Sequence, residues 1–308
     1  MPSQGFHMER QESTGIGQGV PLQSVSVSRR AGFGLYRLQR SNLLNYIILA
    51  SGACLMVLPF IWMISTSFKP QAETISFPPR IFPINPTLDN YLQVFERGNM
   101  GRLYWNTTFV GVIKTILNVY TSALLGYVFS KFKFKGRDTI FYILLSTWII
   151  PGEVYIIPLY VMTVNAGLAN TFTALILPEI YTVYAMFLFR QFMFSIPDEL
   201  IDAARIDGAG EWYIFHRIIL PLSSAALATI VAFYFMWNWN DFLWPLVVIS
   251  DSDKYLIAVG LATFVSEYAS QYGIVMAGAS LAIIPILVIF VAVQRFIVDG
   301  IVLTGLKG

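Results

Sequence analysis

The sequence predicts an all-α fold, an integral membrane bundle of about six transmembrane helices. Three observations carry that prediction. The 308 residues are 56% apolar and 12% charged, against about 45–50% and roughly 25% in soluble domains. The mean hydropathy is +0.62. From Ser41 to Phe68, 28 residues pass without an Asp, Glu, Lys or Arg, more than the ~20 that carry a helix across a ~30 Å hydrocarbon core. Lipid satisfies no free backbone N–H or C=O, so such spans must be helices. The composition also excludes other classes. An aromatic content of 15% argues against disorder. A net charge of +2 is too small for nucleic-acid binding by charge alone. The single cysteine, Cys54, forms no internal disulfide, and His7 and His216 are too few and too distant for a metal site.

Taken in order, the spans are expected at about 43–66, 104–130, 139–162, 172–194, 221–249 and 272–298. Lys114 interrupts the second. Pro151-Gly152 marks a break in the third, just before Glu153, and Pro178 precedes Glu179 in the fourth. Residues 1–40 read as a flexible cytoplasmic tail rich in Gly, Ser and Gln, and 41–308 as the transmembrane domain. No short apolar segment follows Met1, so the first span reads as a retained anchor. The tail, the 131–138 and 190–220 connections and the C-terminus hold 14 Lys and Arg; the 67–103 and 250–271 connections hold 5. The positive-inside rule then puts both termini in the cytoplasm.

The 195–221 connection is the polar island between the fourth and fifth spans. Ser195 and Asp198 match a capping box, with Pro197 in the first turn. Leu200, Ala203 and Ala204 fall close to one helix face. Gly208 and Gly210 end this helix in a sharp turn, and a second short helix runs from about Glu211 to Ile219; Pro221 either separates it from the fifth span or kinks the junction. On pattern alone, this is either a solvated connector or a pair of helices on the membrane surface.

Its spacing is more specific. Asp202-Ala203-Ala204, three residues, Gly208, nine residues, Ile218, one residue, Leu220-Pro221 resembles the EAA loop in permeases of binding-protein-dependent ABC importers. Asp202 is the departure, since that family usually carries Glu there. The resemblance extends over roughly 41–308 and points to the carbohydrate-uptake, maltose-type branch, and to the shorter six-span permease of a pair. It is carried by Thr66-Ser-Phe-Lys-Pro70, Asn106-Thr-Thr-Phe109, Phe132-Lys-Phe-Lys-Gly136, Pro158-Leu-Tyr160, Gly167-Leu-Ala-Asn-Thr171, Trp239-Asn-Asp-Phe-Leu243 and the ending from Gly300 to Gly308.

The resemblance implies a transport subunit rather than an enzyme, in a bacterial-type inner membrane. A second permease subunit, a cytoplasmic ATPase dimer and an extracytoplasmic substrate-binding protein are its implied partners. ATP and Mg belong to the ATPase, and no phosphate-binding Gly-x-x-x-x-Gly-Lys-Ser/Thr run is present here. Asp202, Ala203, Ala204, Gly208, Ile218, Leu220 and Pro221 become the ATPase-coupling residues: Asp202 by an ion pair, the two alanines by close docking, Gly208 by the turn. The implied solute is a sugar or related polyol, with a glycerol-phosphate-like solute as the alternative.

Charges in the spans have two readings each. Lys114 either snorkels or lines a pathway. Glu153 and Glu179 either line the pathway or pair with the partner permease. Asn238, Asn240 and Asp241, among the Trp residues of 237–244, either contact a sugar or belong to an aromatic belt at the headgroups. Cys54 reads as a small core residue. Gly273-x-x-x-Ala277 and Gly278-x-x-x-Ala282 suggest close helix packing, against the partner or within the chain. An ion-driven secondary transporter would call for more spans with inverted repeats, and a membrane enzyme for a nucleophile or metal cluster that the sequence lacks.

Overall fold

The computed structural model describes residues 40–305, without the side chains of 40–42, 44, 292, 293 and 295–305. The tail, including His7, and the last three residues of the C-terminal ending lie outside the described residues. The helix α1 (Arg40–Ser67) carries an exposed apolar surface from Leu43 to Ile64. Cys54 lies on that exposed surface, so its expected place in a core is corrected. Among the described residues, those up to Ala53 belong to one unit and those from Cys54 to the other.

Within the larger unit, the short helices α2 (Gln71–Thr74) and α3 (Asp89–Arg97) are stapled to the end of α1. The Asn90 amide donates to the carbonyls of Ser67 and Lys69, each at 2.8 Å, and buried Lys69 donates to the Arg80 carbonyl at 2.7 Å. The Thr66–Pro70 motif is thus a structural staple.

The helix α4 (Met100–Lys131) runs unbroken for 32 residues through the centre of this unit. It is followed by α5 (Arg137–Thr147), α6 (Gly152–Asn165), α7 (Phe172–Ile176) with a 3-10 turn over Leu177–Glu179, and α8 (Val183–Phe194). Two short helices come next, α9 (Asp198–Ile206) and α10 (Glu211–Ile214), and then α11 (Leu220–Leu222), α12 (Ser224–Trp239) and α13 (Leu243–Val248). The chain ends with α14 (Ile257–Glu267) and α15 (Tyr272–Gly305).

Three of these helices are long and apolar enough to cross a membrane, and three bent pairs raise the number to six if each pair is one span. The α5/α6 pair bends by 95°, where Pro151 withholds a backbone N–H and the Trp148–Ile150 segment leaves the helix. The α7/α8 pair bends by 42° beyond Pro178. At the start of the fifth apolar segment the helix continues through Pro221 and bends by 80° at Ser223, so of the two expectations for Pro221 the junction is kinked rather than separated. That segment breaks again at 240–242, between α12 and α13.

Polar side chains of α4 hold the broken elements around it. Asn106, Thr107, Lys114, Thr115, Asn118 and Ser122 are all buried. Asn118 donates to the Glu179 carbonyl at 2.9 Å, and the Ser122 hydroxyl accepts from the Thr182 N–H at 3.2 Å. Asn106 donates to the carbonyls of Asp253 and Tyr255, and Thr107 accepts from the Ile257 N–H at 2.7 Å. Each bond satisfies backbone that a helix break has freed, which is the condition for irregular backbone inside a membrane.

At Gly126 the backbones of α4 and α8 approach closely. A Cβ on Gly126 would sit 2.6 Å from the Phe189 Cβ and 3.0 Å from the Arg190 nitrogen. Gly126→Val is expected to push α8 away and cost about 1–3 kcal/mol, read as a lower thermal unfolding midpoint. Gly273 likewise meets the Asn90 side chain at 2.7 Å and Gly278 meets Leu261 at 3.2 Å. These small-residue patterns therefore pack within the chain.

Candidate functional site

Two constellations emerge from this framework. The first is the 195–221 connection. Pro197 precedes α9 without a side-chain cap, and the Ser195 hydroxyl instead donates back to the Phe192 carbonyl at 2.7 Å. The expected capping box is therefore absent, because Ser195 still belongs to the end of α8. The helix α9 ends in a Schellman turn: the Gly208 N–H donates to Arg205 and the Ala209 N–H to Ala204. Gly208 supplies the required left-handed residue at φ +84°. After α10 the helix widens into a π turn over Phe215–Ile219.

The apolar face of α9 splits differently from the sequence expectation. Ile201 is fully buried and Ala204 half-buried, while Leu200 and Ala203 are exposed. Ile201, Ile214, Phe215 and Ile219 join Tyr127 and Ala123 of α4 and Phe189 of α8 in one core cluster. Ile218 and Leu220 pack against that cluster. Asp202, Gly208 and Pro221 are exposed, and so are Ile206, Trp212 and Tyr213. Asp202 accepts from Arg205 at 3.2 Å within the loop. His216 meets Tyr120 and the Trp212 carbonyl.

Charged contacts fix this loop to the end of α4. Lys131 donates to the Ile196 carbonyl at 2.5 Å and to Asp198 at 2.6 Å. The Tyr127 hydroxyl donates to Glu211 at 2.7 Å, and Arg205 donates to the other Glu211 oxygen at 2.8 Å. Two short helices are thereby joined to a long one as a single stiff piece.

The hydrogen bond from Lys131 holds the Asp198 carboxyl below the usual carboxylate range. A depressed native value contributes stability above the unfolded value, lost only as pH falls through the lowered one. The tie is complete at neutral pH, so substitution tests it better than acid. Asp198→Asn is expected to speed amide exchange across 198–206, with a modest effect on global stability because Asp198 is exposed.

The second constellation lies at two helix breaks. Lys114 on α4 is 2% exposed and sits 2.9 Å from Glu179 and 2.9 Å from Asp241. Glu179 closes the 3-10 turn before α8, and Asp241 lies in the break after α12. The snorkelling expected of Lys114 is thus corrected, since a cation with two carboxylates at contact stays buried. Glu179 pairs within its own chain, whereas Glu153 is exposed and makes no ion pair or hydrogen bond among the described residues. Asn238 is buried and donates to Thr115 at 3.0 Å; Asn240 is exposed and donates to the Met236 carbonyl at 2.8 Å.

The aromatic block divides as well. Trp239 and Trp244 are buried, and donate to the carbonyls of Ala282 and Ala174, so neither belongs to a headgroup belt. Trp237 is 73% exposed. With Asn240 and Asp241 it lines an open concavity of about 470 Å³. The sequence reading missed the three-way ion pair and the Lys131–Asp198 and Tyr127–Glu211 ties. Their available signal was polar residues recurring at 107, 114, 115, 118 and 122 on one stripe of an apolar helix.

Broken helices pinned to a central one by buried polar groups, beside a stiff loop with an exposed apolar and acidic face, fit a membrane transport subunit. Residues 119–302 match the family of binding-protein-dependent transport system inner membrane components, and the chain belongs to that family. It is 36% identical over 266 residues to the arabinooligosaccharides transport system permease protein AraQ of Halalkalibacterium halodurans, covering 83% of this chain and 93% of that relative. It is 34% identical over 263 residues to the lactose transport system permease protein LacG of Rhizobium radiobacter, covering 84% and 94%. The sn-glycerol-3-phosphate transport system permease protein UgpE of Brucella abortus is 32% identical over 273 residues, covering 86% and 97%. In fold, the chain matches a solved bacterial ABC transporter involved in the import of the acidic polysaccharide alginate, with a TM-score of 0.75 at 22% identity over 83% of this chain and 98% of that one.

Proposed function

We propose that this chain is one permease of a heterodimeric ABC importer that moves a sugar or oligosaccharide into the cytoplasm. The observation that carries this reading is the stiff 195–221 loop. Its EAA-type spacing, its Schellman turn at Gly208 and its ties to α4 suit a lever that passes force from an ATPase to the spans. Asp202, Ala203 and Gly208 form the exposed docking surface, while Ala204, Ile218 and Leu220 seat it on the bundle and exposed Pro221 ends the loop. ATP and Mg are held by the ATPase dimer. The loop and both termini face the cytoplasm, and an extracytoplasmic binding protein delivers the solute. The sugar class is supported by the transport systems named for AraQ and LacG. A glycerol-phosphate-like solute is the second reading, supported by the one named for UgpE. Asn238, Asn240, Asp241 and Glu179 belong to the solute pathway, with Glu153 at a further helix break.

Co-purification with the two partner subunits, followed by reconstitution into liposomes, tests this. The expected result is sugar uptake that requires both ATP and the binding protein. Ion-driven uptake by this chain alone would overturn it.

A further inference from the structure

We infer that the Lys114–Glu179–Asp241 cluster makes the pathway of this subunit selective for neutral, hydroxyl-rich solutes over anionic ones. The inference rests on the sugar reading above and adds a charge class to it.

The first reason is charge. One ammonium faces two carboxyl groups, so with all three ionised the cluster carries a net charge of −1. No second cation pairs with Glu179 or Asp241 among the described residues. Lys114, the group that would attract a phosphate or a uronate, is 2% exposed. The carboxylates are the more open members: Glu179 is half-buried, and Asp241 lines the concavity beside exposed Trp237 and Asn240. A solute therefore meets acid before base. A second anion close to this charge, in surroundings far less polarisable than water, is repelled by more than a surface anion would be.

The second reason is the balance of donors and acceptors. Asp241 engages Lys114 through Oδ2 and Glu179 through Oε2, leaving the other oxygen of each as an acceptor. In the same network, the Oδ1 atoms of Asn118 and Asn238 are buried without a hydrogen-bond partner. These are the two asparagines whose amide groups donate to the Glu179 carbonyl and to Thr115, next to Lys114. Those two oxygens are closed to solvent, so the acceptors a solute can reach are the free oxygens of Glu179 and Asp241, with no donor beside them but the buried Lys114. Sugar hydroxyls supply donors, whereas a phosphate or carboxylate supplies only more acceptors. The exposed Trp237 ring adds an apolar face against which a sugar ring can lie.

The test uses the complete importer in liposomes with its binding protein. Lactose and arabinotriose are the neutral probes. Their aldonates, made by oxidising the reducing end, are the anionic ones. Each is supplied at a concentration that saturates the binding protein, and the readout is the ratio of neutral to aldonate turnover. In the wild type this ratio is expected to be about tenfold or more, as an unfavourable like-charge contact predicts. In Glu179→Gln and Asp241→Asn, each of which leaves Lys114 one carboxylate partner, the ratio is expected to fall at least severalfold. Equal turnover of both forms by the wild type, or a ratio unchanged in both variants, would overturn the inference while leaving sugar import standing. Uptake of neither neutral sugar would overturn the sugar reading itself, and the inference with it.

Discussion

Gly208→Asp is expected to reduce substrate-stimulated ATP hydrolysis by the assembled importer about tenfold or more, equivalent to roughly 1.4 kcal/mol or more of lost coupling. The chain itself should still fold and insert. Gly208 has φ +84°, a left-handed conformation that aspartate tolerates better than most residues. No atom lies within 4 Å of the position its Cβ would take. Around it, Ala203, Ile206, Trp212 and Tyr213 are exposed, with Ile206 at 86%. A carboxylate introduced there would be desolvated on docking without a counter-charge. Gly208→Asn serves as the control, because it keeps the left-handed tolerance and adds no charge. Its hydrolysis should lie nearer the wild type, and the ATPase should co-purify with it more fully. Stimulation by Gly208→Asp equal to that of wild type would sink the docking role of this turn.

The fold was readable wherever a residue's effect is local. Uncharged runs marked the apolar helices, Pro151 and Pro178 marked breaks, and Gly208 marked the end of α9. Partner choice was not readable, because it depends on residues far apart in the chain. Lys114 and Asp241 are separated by 127 positions, and one-dimensional hydropathy treats each as an isolated penalty. The same blindness explains Ser195, whose capping pattern was satisfied in sequence although α8 had not yet ended. It also explains α9. Three residues can share a face by spacing, while only the packing of Ile201 against Tyr127 and Phe215 decides which face is buried. For the candidate site, the spacing of the loop was legible and its attachment to α4 was not.

That attachment makes α4 the common member of both constellations. Lys131 and Tyr127 hold the loop near its C-terminal end, and Lys114 holds two helix breaks about four to five turns earlier, at 3.6 residues per turn. Because α4 is unbroken between these points, a displacement of the loop is transmitted along the helix rather than absorbed by a hinge. In the proposed importer, the breaks at Glu179 and Asp241 would therefore respond to the ATPase through Lys114.

Lys114→Met is accordingly expected to be the most damaging single change in the spans. It removes one charge and leaves two partly buried carboxylates near each other, in the turns that follow α7 and α12. Removing one partner of a buried ion pair costs about 3–5 kcal/mol, because the remaining charge is left uncompensated. The cost is far smaller when the whole cluster is neutralised, since well-packed uncharged groups replace buried ion pairs with little loss. The triple variant Lys114→Met, Glu179→Gln, Asp241→Asn should therefore recover most of the thermal unfolding midpoint lost by Lys114→Met alone. Transport should not recover with it, because the negative charges assigned to the pathway and the link from α4 to both breaks are gone. A triple variant as unstable as the single one would mean that the lysine stem, rather than its charge, holds the three helices together. A triple variant with wild-type transport would show that the cluster serves folding alone.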